Sequence, residues 1–392
     1  MKILIVMALI FALNVSAAFA AGISNSVNNF GWNYYKTLDK DENIFYSPYS
    51  IAAALSMLSN GAIGRTKQEI LDALYSDSIK NLNDGFANFH GVNSANLLLI
   101  DKKYSGNGIN SRFKNKVEKI YGSEVAIADF ENNLTGEKAR ITDWVKKRTN
   151  NFIPNYKSIA RQDTAVDLLN VIYFKEDWLD AFYQSDTRQK NFFNKDGSIS
   201  KVDMMNRIFE DKISYYADEK YRGVELPYKN SNAALFIILP VDEDNLNIAD
   251  DWNAENISYC EDFLNKIQTA PLFDGEVHLA LPKFELDIKN NLVEKLWQVG
   301  IQRAFTDYAE FYNIINGVSL KIDDAAHQAK IKVDEQGTEA AAVTEITMVE
   351  TTAMAPDFKR IVKFRADIPF VFVIRDIPSK INLFTGTINT LE

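Results

Sequence analysis

The sequence predicts an α+β protein in which the sheets are mostly antiparallel. In the first third of the chain, apolar residues recur at the three- and four-residue spacing of amphipathic helices. From about residue 165 onward the pattern changes to short apolar runs separated by turn residues, as in β-strands. No linker rich in proline, glycine or serine divides the 392 residues, so one large domain is expected.

The predicted helices lie mainly in the N-terminal region. The sequence Ser47-Pro-Tyr-Ser50 indicates a helix entry, because Pro48 ends the preceding strand and Ser50 can cap the helix. Thr66-Lys-Gln-Glu69 has the spacing of a capping box. Apolar spacing predicts helices over Ser26–Tyr35, Ser50–Leu58, Ile70–Leu74, Asn110–Tyr121, Gly136–Asn150 and Leu292–Val299.

Strands are predicted in the remainder of the chain. Ala165–Phe174 is a nearly continuous apolar run, which is typical of a buried central strand. Gly223–Tyr228 and Ala233–Pro240 flank a polar turn and predict a hairpin. Further strand-like runs are Val277–Phe284, Lys330–Val333, Phe370–Ile374 and Ile381–Ile388.

Residues 1–20 have the pattern of a secretory signal peptide. Lys2 gives a short charged start, Ile3–Val15 is the apolar core, and Ala18-Phe-Ala20 is a small-x-small cleavage site. The apolar stretch is short for a membrane span. We therefore expect a soluble mature domain over 21–392 that is secreted or periplasmic.

Composition limits the partners of the chain. The formal net charge is −10 and no large basic cluster is present, which argues against nucleic acid as a partner. The single cysteine, Cys260, allows no internal disulfide. With 46% hydrophobic and 12% aromatic residues, the chain can form a large core without bridges.

The sequence offers no catalytic constellation. There are three histidines, and no zinc-protease, CxxC, GxSxG or phosphate-loop motif occurs. Asp323-Asp324 is the adjacent pair that could contact a cation, but a solvated loop is the expectation there. We therefore predict no enzyme, no metal and no cofactor, and favour a binding or inhibitory role.

The segment after Glu335 is the most informative part of the chain. In an extended segment, alternate residues share a face. One face then carries no charge, and the other carries both carboxylates of Glu339 and Glu345. The uncharged face comprises Thr338, Ala340, Ala342, Thr344, Ile346 and Met348. The segment lies where a long connection is expected, so it suggests two states, although an ordinary half-buried strand or an alanine-rich helix start remains the alternative.

Blocks of residues typical of one known family follow one another along the mature chain. They are Asn43–Met57, Gly61-Ala-x-Gly-x-Thr66, Ile141 with Trp144 and Thr149, Leu169–Lys175 with Trp178 and Phe182, Met204-Met205, Leu281-Pro-Lys-Phe284, His327-x-Ala329, Gly337–Ala342, Pro369–Phe372 and Phe384-x-Gly386. One block would be weak evidence, but this many in order form a specific signal. The chain resembles the serpins, a family of serine protease inhibitors.

The resemblance implies N-terminal helices packed on three mostly antiparallel β-sheets, with an exposed reactive-centre loop at about 337–362. It also implies suicide-substrate trapping, in which a serine protease cleaves the loop and forms an acyl-enzyme. The loop then inserts into the central sheet and distorts the protease. The implied complex is covalent, and the inhibitor is expected to be a monomer.

The resemblance assigns roles to two groups of residues. The loop hinge comprises Glu335, Gly337, Thr338, Glu339, Ala340, Ala341 and Ala342. A hydrogen-bonded cluster under the opening strands comprises Ser47, Ser50, Asn170 and His327, with Trp178 near the point of first insertion. Glu176 departs from the glycine usual in the family. The short, non-basic region from Tyr75 to Asn93 argues against activation by glycosaminoglycans.

The scissile bond is placed by counting along the loop from Glu335, which gives Thr351–Thr352. Ala353–Met354 and Met354–Ala355 are the alternatives. The residues from Val349 to Ala355 include no lysine or arginine, so an elastase-like or subtilisin-like protease is expected rather than a trypsin-like one.

Two other functions stay open from the sequence. A non-inhibitory serpin (a carrier, a storage protein or a chaperone-like protein) would keep the fold but lose insertion. A secreted hydrolase of unknown type would need a nucleophile and base that the three histidines do not suggest.

Overall fold

The computed structural model describes residues 22–89, 92, 94–106, 108–252, 256–318, 320–338 and 359–392. The signal segment 1–20 therefore lies outside the described residues. So do several predicted site residues of the loop: Glu339, Ala340, Ala341, Ala342, Thr351, Thr352, Ala353, Met354 and Ala355.

The helices are concentrated in the first part of the chain, as predicted. They are 22–35 (α1), Pro48–Gly61 (α2), Gly64–Ala73 (α3), Ile79–Asn88 (α4), Ser111–Tyr121 (α5), Phe130–Arg148 (α6), Ile248–Asp251 (α7), Ile257–Thr269 (α8) and Leu292–Gln298 (α9). None of the helices in the described part of the chain is long and apolar enough to cross a membrane.

Two predicted caps are wrong. Ser47 rather than Ser50 caps α2, since its Oγ accepts the backbone N–H of Ser50 at 3.0 Å. Proline has no N–H to be capped and suits the first turn, so the cap falls on the residue before Pro48. The capping box at Thr66 is also absent because α3 begins at Gly64, and the carboxylate of Glu310 accepts the N–H groups of Arg65 and Thr66 instead.

Strands dominate the rest of the chain. They are Ile44–Tyr46 (β1), Ser94–Asp101 (β2), Glu124–Ala128 (β3), Val166–Tyr173 (β4), Glu176–Asp177 (β5), Arg188–Phe193 (β6), Ile199–Glu210 (β7), Ser214–Ala217 (β8), Tyr221–Pro227 (β9), Ala233–Pro240 (β10), Glu276–Pro282 (β11), Phe284–Asn291 (β12), Asp324–Val333 (β13), Gly337–Thr338 (β14), Ile361–Arg365 (β15), Phe370–Asp376 (β16) and Ile381–Ile388 (β17).

The strands form three sheets. One has six strands in the order β1-β17-β16-β10-β9-β8, and one has four in the order β15-β11-β7-β6. The third has seven strands, ordered β3-β2-β4-β13-β14-β5, with β12 on the other edge of β13. Most pairs are antiparallel, but β4 and β13 run parallel to each other. This architecture confirms the predicted α+β fold with three sheets.

The seven-stranded sheet is buried on both faces through its middle, whereas Lys330 and Lys332 near the end of β13 are partly exposed. Leu168 and Ile172 of β4 belong to the main core, which also contains the apolar residues of α2. The alternate residues Leu169 and Val171 belong to a second core with Ile141 of α6. The central strands therefore read as continuous apolar runs, because both of their faces pack against helices.

Candidate functional site

The seven-stranded sheet is split at one end. Along most of their length β4 and β13 are direct neighbours, and their last pair is Tyr173 with Lys330. We call the line between these two strands the seam. Beyond the last pair, β14 lies between the end of β13 and β5, antiparallel to both. The first two residues of the predicted loop, Gly337 and Thr338, therefore occupy the position of an extra strand, which we call the entry point.

Gly337 is required at the entry point by close packing. An ideal Cβ at this position would lie 2.2 Å from the carbonyl oxygen of Glu176 and 2.7 Å from the Cα of Asp177. Both contacts are with backbone, so no side chain can rotate away to relieve them. Only glycine lets the two backbones approach this closely.

Thr338 anchors the entry point in the core. It is fully buried, and its Oγ1 lies 2.7 Å from the hydroxyl of Tyr228. The ring of Tyr228 stacks on Trp178 with centroids 4.7 Å apart. The indole N–H of Trp178 donates to the carbonyl of Asp334 at 2.9 Å, and its backbone N–H donates to the carbonyl of Gln336 at 2.9 Å. Trp178 thus holds the turn that precedes the loop.

Glu335 ties the same turn to the neighbouring sheet. Its carboxylate accepts a hydrogen bond from Thr187 at 2.8 Å and forms an ion pair with Lys283 at 3.0 Å. Burial alone would raise the pKa of Glu335, but the hydrogen bonds from Lys283 and Thr187 outweigh burial and lower it. The turn before the loop is therefore fixed by backbone and side-chain contacts together.

A second group of polar side chains lies along the seam, on the face that packs against α2. We call it the seam cluster, and its members are Ser47, Ser50, Asn96, Asn170 and His327, each fully buried. His327 and Asn170 are directly opposite each other across the seam. Parting β4 from β13 therefore breaks their mutual hydrogen bond.

The hydrogen bonds of the seam cluster define the state of His327. Its Nε2 accepts the backbone N–H of Ser47 at 3.0 Å, so Nδ1 carries the proton and donates to Oδ1 of Asn170 at 2.5 Å. The amide of Asn170 donates to Oγ of Ser50 at 2.6 Å and to Oδ1 of Asn96 at 2.7 Å. Burial lowers the pKa of His327 to about 3, so the imidazole is neutral at physiological pH.

A lowered pKa at His327 predicts loss of stability in acid. Between the unfolded pKa of 6.5 and the folded value of about 3, the unfolded chain binds a proton that the folded chain does not. The contribution of neutral His327 to the free energy of unfolding is complete above pH 6.5. Below that pH it falls by about 1.4 kcal/mol per pH unit. At pH 5.0, urea unfolding should show about 2 kcal/mol less stability from this residue than at pH 7.5.

The control for that measurement is His278, which lies half-exposed on β11 beside Glu276. His278→Gln should lose stability in acid as the wild type does. His327→Gln should lack the part of this loss that comes from protonation of His327. Equal pH profiles for the wild type and His327→Gln would contradict the assignment.

The structure brings four of the five residues predicted to gate the sheet into one hydrogen-bonded cluster. Trp178 lies apart from them, at the entry point. Asn96 was missed by the sequence analysis. It is the one polar residue in the otherwise apolar run from Ala95 to Ile100, and a lone amide in a buried strand could have indicated a hydrogen-bonded partner.

The expectation for Asp323 and Asp324 is wrong. Asp324 is buried at the start of β13, where it pairs with Arg161, and Asp323 accepts the backbone N–H of Ala165. Both carboxylates thus have protein partners that compensate for the loss of water. No group of histidine, cysteine or acidic residues in the described ranges could hold a metal ion.

Comparisons with related proteins agree with this architecture. The family model described as "Serpin (serine protease inhibitor)" matches residues 25–391. Iris of Ixodes ricinus is 31% identical over 390 residues, which cover 95% of this chain and 100% of that protein. Leukocyte elastase inhibitor of Equus caballus is 29% identical, with 93% and 98% of the two chains covered.

Solved structures show the same fold. The native state of the thermophilic serpin tengpin gives a TM-score of 0.81 at 25% identity and covers 94% of each chain. Thyroxine-binding globulin in complex with thyroxine gives a TM-score of 0.79 at 27% identity and covers 94% of this chain and 98% of that one. From its family model, its relatives and its three sheets, this chain belongs to the serpin family.

Proposed function

We propose that this protein is an exported, non-catalytic inhibitor of serine proteases that acts by suicide-substrate trapping. The observation that carries the proposal is the entry point. Gly337 and Thr338 already form a strand between β13 and β5, while β4 and β13 are still closed along the rest of the seam. After cleavage, the residues that follow Thr338 can extend β14 along the seam between β4 and β13.

The topology favours such an insertion. The seam is a parallel pair, and β14 enters antiparallel to both of its neighbours. Further insertion replaces one parallel ladder by two antiparallel ladders. Antiparallel pairing is slightly more stable per residue, and each added backbone hydrogen bond contributes roughly 1 kcal/mol net. Insertion can therefore offset the loss of the direct contacts between β4 and β13.

The sequence of the loop suits the buried position. Thr338 points into the core, and alternation places Ala340, Ala342 and Thr344 on the same side of an inserted strand. These side chains are small and uncharged. A charge on that side would be buried without a partner, at a cost of several kcal/mol.

For the target we propose an elastase-like or subtilisin-like serine protease. A relative that aligns with nearly the whole chain is named leukocyte elastase inhibitor. The residues around Thr351–Thr352 are small, aliphatic or hydroxylic apart from Glu350, which suits a shallow specificity pocket. We also propose export, with Ala21 as the first residue of the mature protein.

A carrier function is the second candidate. Its support is that thyroxine-binding globulin, solved with thyroxine, is among the similar structures. The formation of a covalent complex with a protease distinguishes the two functions, because an inhibitor of this type forms one and a carrier needs none.

The test is to incubate the protein with elastase, subtilisin, chymotrypsin and trypsin, and to separate the products on denaturing gels. We expect elastase or subtilisin to give a band at the summed mass that survives boiling, and trypsin to give none. N-terminal sequencing of the released C-terminal piece should begin at Thr352. Cleavage without such a band would refute inhibition and leave the carrier candidate.

Two variants locate the scissile bond independently. Thr351→Arg should convert the protein into a trypsin inhibitor if Thr351–Thr352 is the bond that proteases cleave, because trypsin requires a basic residue there. Met354→Arg is the matched control at the alternative bond. Trypsin trapping by Met354→Arg alone would move the bond to Met354–Ala355.

A further inference from the structure

Two aspartates face each other across the seam, on the face opposite the seam cluster. Asp167 of β4 and Asp324 of β13 are paired in the parallel register, and they are only 4% and 3% exposed. Both lie on the side of the sheet that α6 covers, with Leu169 and Ala326 as their neighbours toward the middle of the strands. We call them the carboxylate pair.

The two carboxylates have different surroundings. Asp324 accepts hydrogen bonds from the guanidinium of Arg161 at 2.7 Å and from the hydroxyl of Thr164 at 2.6 Å. In the described part of the chain, no group donates a hydrogen bond to Asp167. Burial, and then the charge of Asp324, raise the pKa of Asp167 to about 7, against smaller opposing effects of Lys289 and Lys138.

Of the neighbouring charged groups in the described ranges, Arg161 forms an ion pair with Asp324, and none forms an ion pair with Asp167. The charged or titratable groups of the neighbouring elements are Lys138 on α6, Tyr156 and Arg161 between α6 and β4, Asp101 at the end of β2, Asp323 before β13 and Lys289 on β12. Lys289 lies over the ring of Tyr156 at 4.4 Å and donates to the carbonyl of Lys157. Asp101 accepts the backbone N–H groups of Phe130 and Lys103.

We propose that the carboxylate pair is a proton-dependent clasp on the seam, which keeps β4 and β13 together while it holds one proton and weakens when that proton is lost. The consequence for inhibition rests on the proposed insertion mechanism. Residues 167 and 324 would then control how readily the sheet opens, at the end of the seam far from the entry point.

The direction of the effect follows from geometry. Neighbouring strands lie about 4.8 Å apart, and an inserted strand between them doubles that separation. Repulsion between two ionised carboxylates is therefore relieved when the seam opens, so the pKa of Asp167 is higher in the closed sheet than in the opened one. The closed sheet binds the extra proton, and opening should become easier as the pH rises through about 7.

His327 does not mimic this effect. It lies on the other face of β13, and its low pKa keeps it neutral in the closed sheet throughout the range from pH 5.5 to pH 8.5. Its contribution also has the opposite sign, because protonation of histidine disfavours the closed state at low pH.

The test is to add a synthetic peptide with the sequence of residues 338–349 to the intact protein and to measure its rate of incorporation on native gels at pH 5.5, 7.0 and 8.5. We expect the wild-type rate to rise about tenfold over this range, which corresponds to a difference of one pKa unit between the closed and opened sheets. Asp167→Asn should lack this rise and remain slow at pH 8.5.

Asp143→Asn is the matched control, since Asp143 is an exposed acid on α6 and away from the seam. It should keep the wild-type pH profile. Lys138→Gln should shift the wild-type transition to higher pH, because it removes a charge that favours ionised Asp167. This variant keeps the test decisive even if Asp167→Asn fails to fold.

Failure of the clasp and failure of the proposed function give different results. If no variant incorporates the peptide, the insertion mechanism fails. The clasp is then tested by the pH dependence of the free energy of unfolding in urea. Asp167→Asn should be more stable than the wild type above pH 7, and the difference should narrow as the pH falls from about 7 toward the unfolded pKa of 3.8. Parallel pH profiles of the wild type and Asp167→Asn would overturn the clasp, either in urea unfolding or in a peptide assay in which the wild type does incorporate the peptide.

Discussion

Replacing Ala340 by glutamate is expected to abolish covalent trapping while leaving cleavage of the loop intact. Thr338 is fully buried at the entry point, and a strand that continues from it places residue 340 on the same side. A glutamate there must be buried among core residues without a partner. The cost of several kcal/mol exceeds what two or three ladder hydrogen bonds return, so insertion should stop at its first step.

The matched control is Ala341→Glu, which adds the same charge one residue later. Alternation turns this side chain to the opposite face of the inserted strand, so trapping should persist. Both variants are compared on denaturing gels against the protease that the wild type traps, with the ratio of complex to cleaved inhibitor as the readout. Loss of trapping in both, or in neither, would contradict the register set by Gly337 and Thr338.

Removing the side chain of Asn170 should give the largest loss of stability among simple substitutions at the seam. Asn170→Ala deprives Nδ1–H of His327, Oγ of Ser50 and Oδ1 of Asn96 of a partner, and all three residues are fully buried. An unsatisfied buried group costs about 1–3 kcal/mol, and some of the freed groups will find other partners. We expect the free energy of unfolding to fall by about 3–5 kcal/mol, measured by urea unfolding at pH 7.5.

Ser59→Ala controls for the loss of a buried polar side chain as such. Ser59 is as buried as Ser50 and lies on the same helix, but its hydroxyl has no hydrogen-bond partner among the described residues. Its replacement should change the free energy of unfolding by less than about 1 kcal/mol, measured by the same urea unfolding. A comparable loss in both variants would mean that the network around Asn170 contributes little.

The parts of the fold that the sequence predicts are those set by local pattern. The run from Ala165 to Phe174 predicts the buried strand β4, and the apolar spacing of Asn110–Tyr121 predicts α5. The start of α3 was mispredicted because its hydrogen-bond acceptor is distant in the chain. Glu310 satisfies the start of α3 across more than two hundred residues of chain, a contact that no short motif encodes.

In the candidate site, too, local features could be predicted from the sequence and contacts between distant residues could not. Family resemblance located His327 and Asn170 as neighbours, but it could not show that Asn96 completes their network from β2. The requirement for Gly337 is also not local, since it comes from the backbone of β5. The carboxylate pair was invisible in the sequence, because Asp167 and Asp324 meet only through the register of two strands far apart in the chain.

Under the proposed insertion mechanism, the antiparallel register at the entry point fixes how far the cleaved end of the loop travels. Because Thr338 is already paired, every further residue that enters the sheet carries the cleaved end about 3.4 Å along the seam. From Thr338 to Thr351 the displacement amounts to roughly 45 Å. The effect of a deletion in the loop on insertion then depends on whether an odd or an even number of residues is removed. Deleting one residue moves every later side chain to the wrong face, whereas deleting two keeps the faces and merely shortens the travel by about 7 Å.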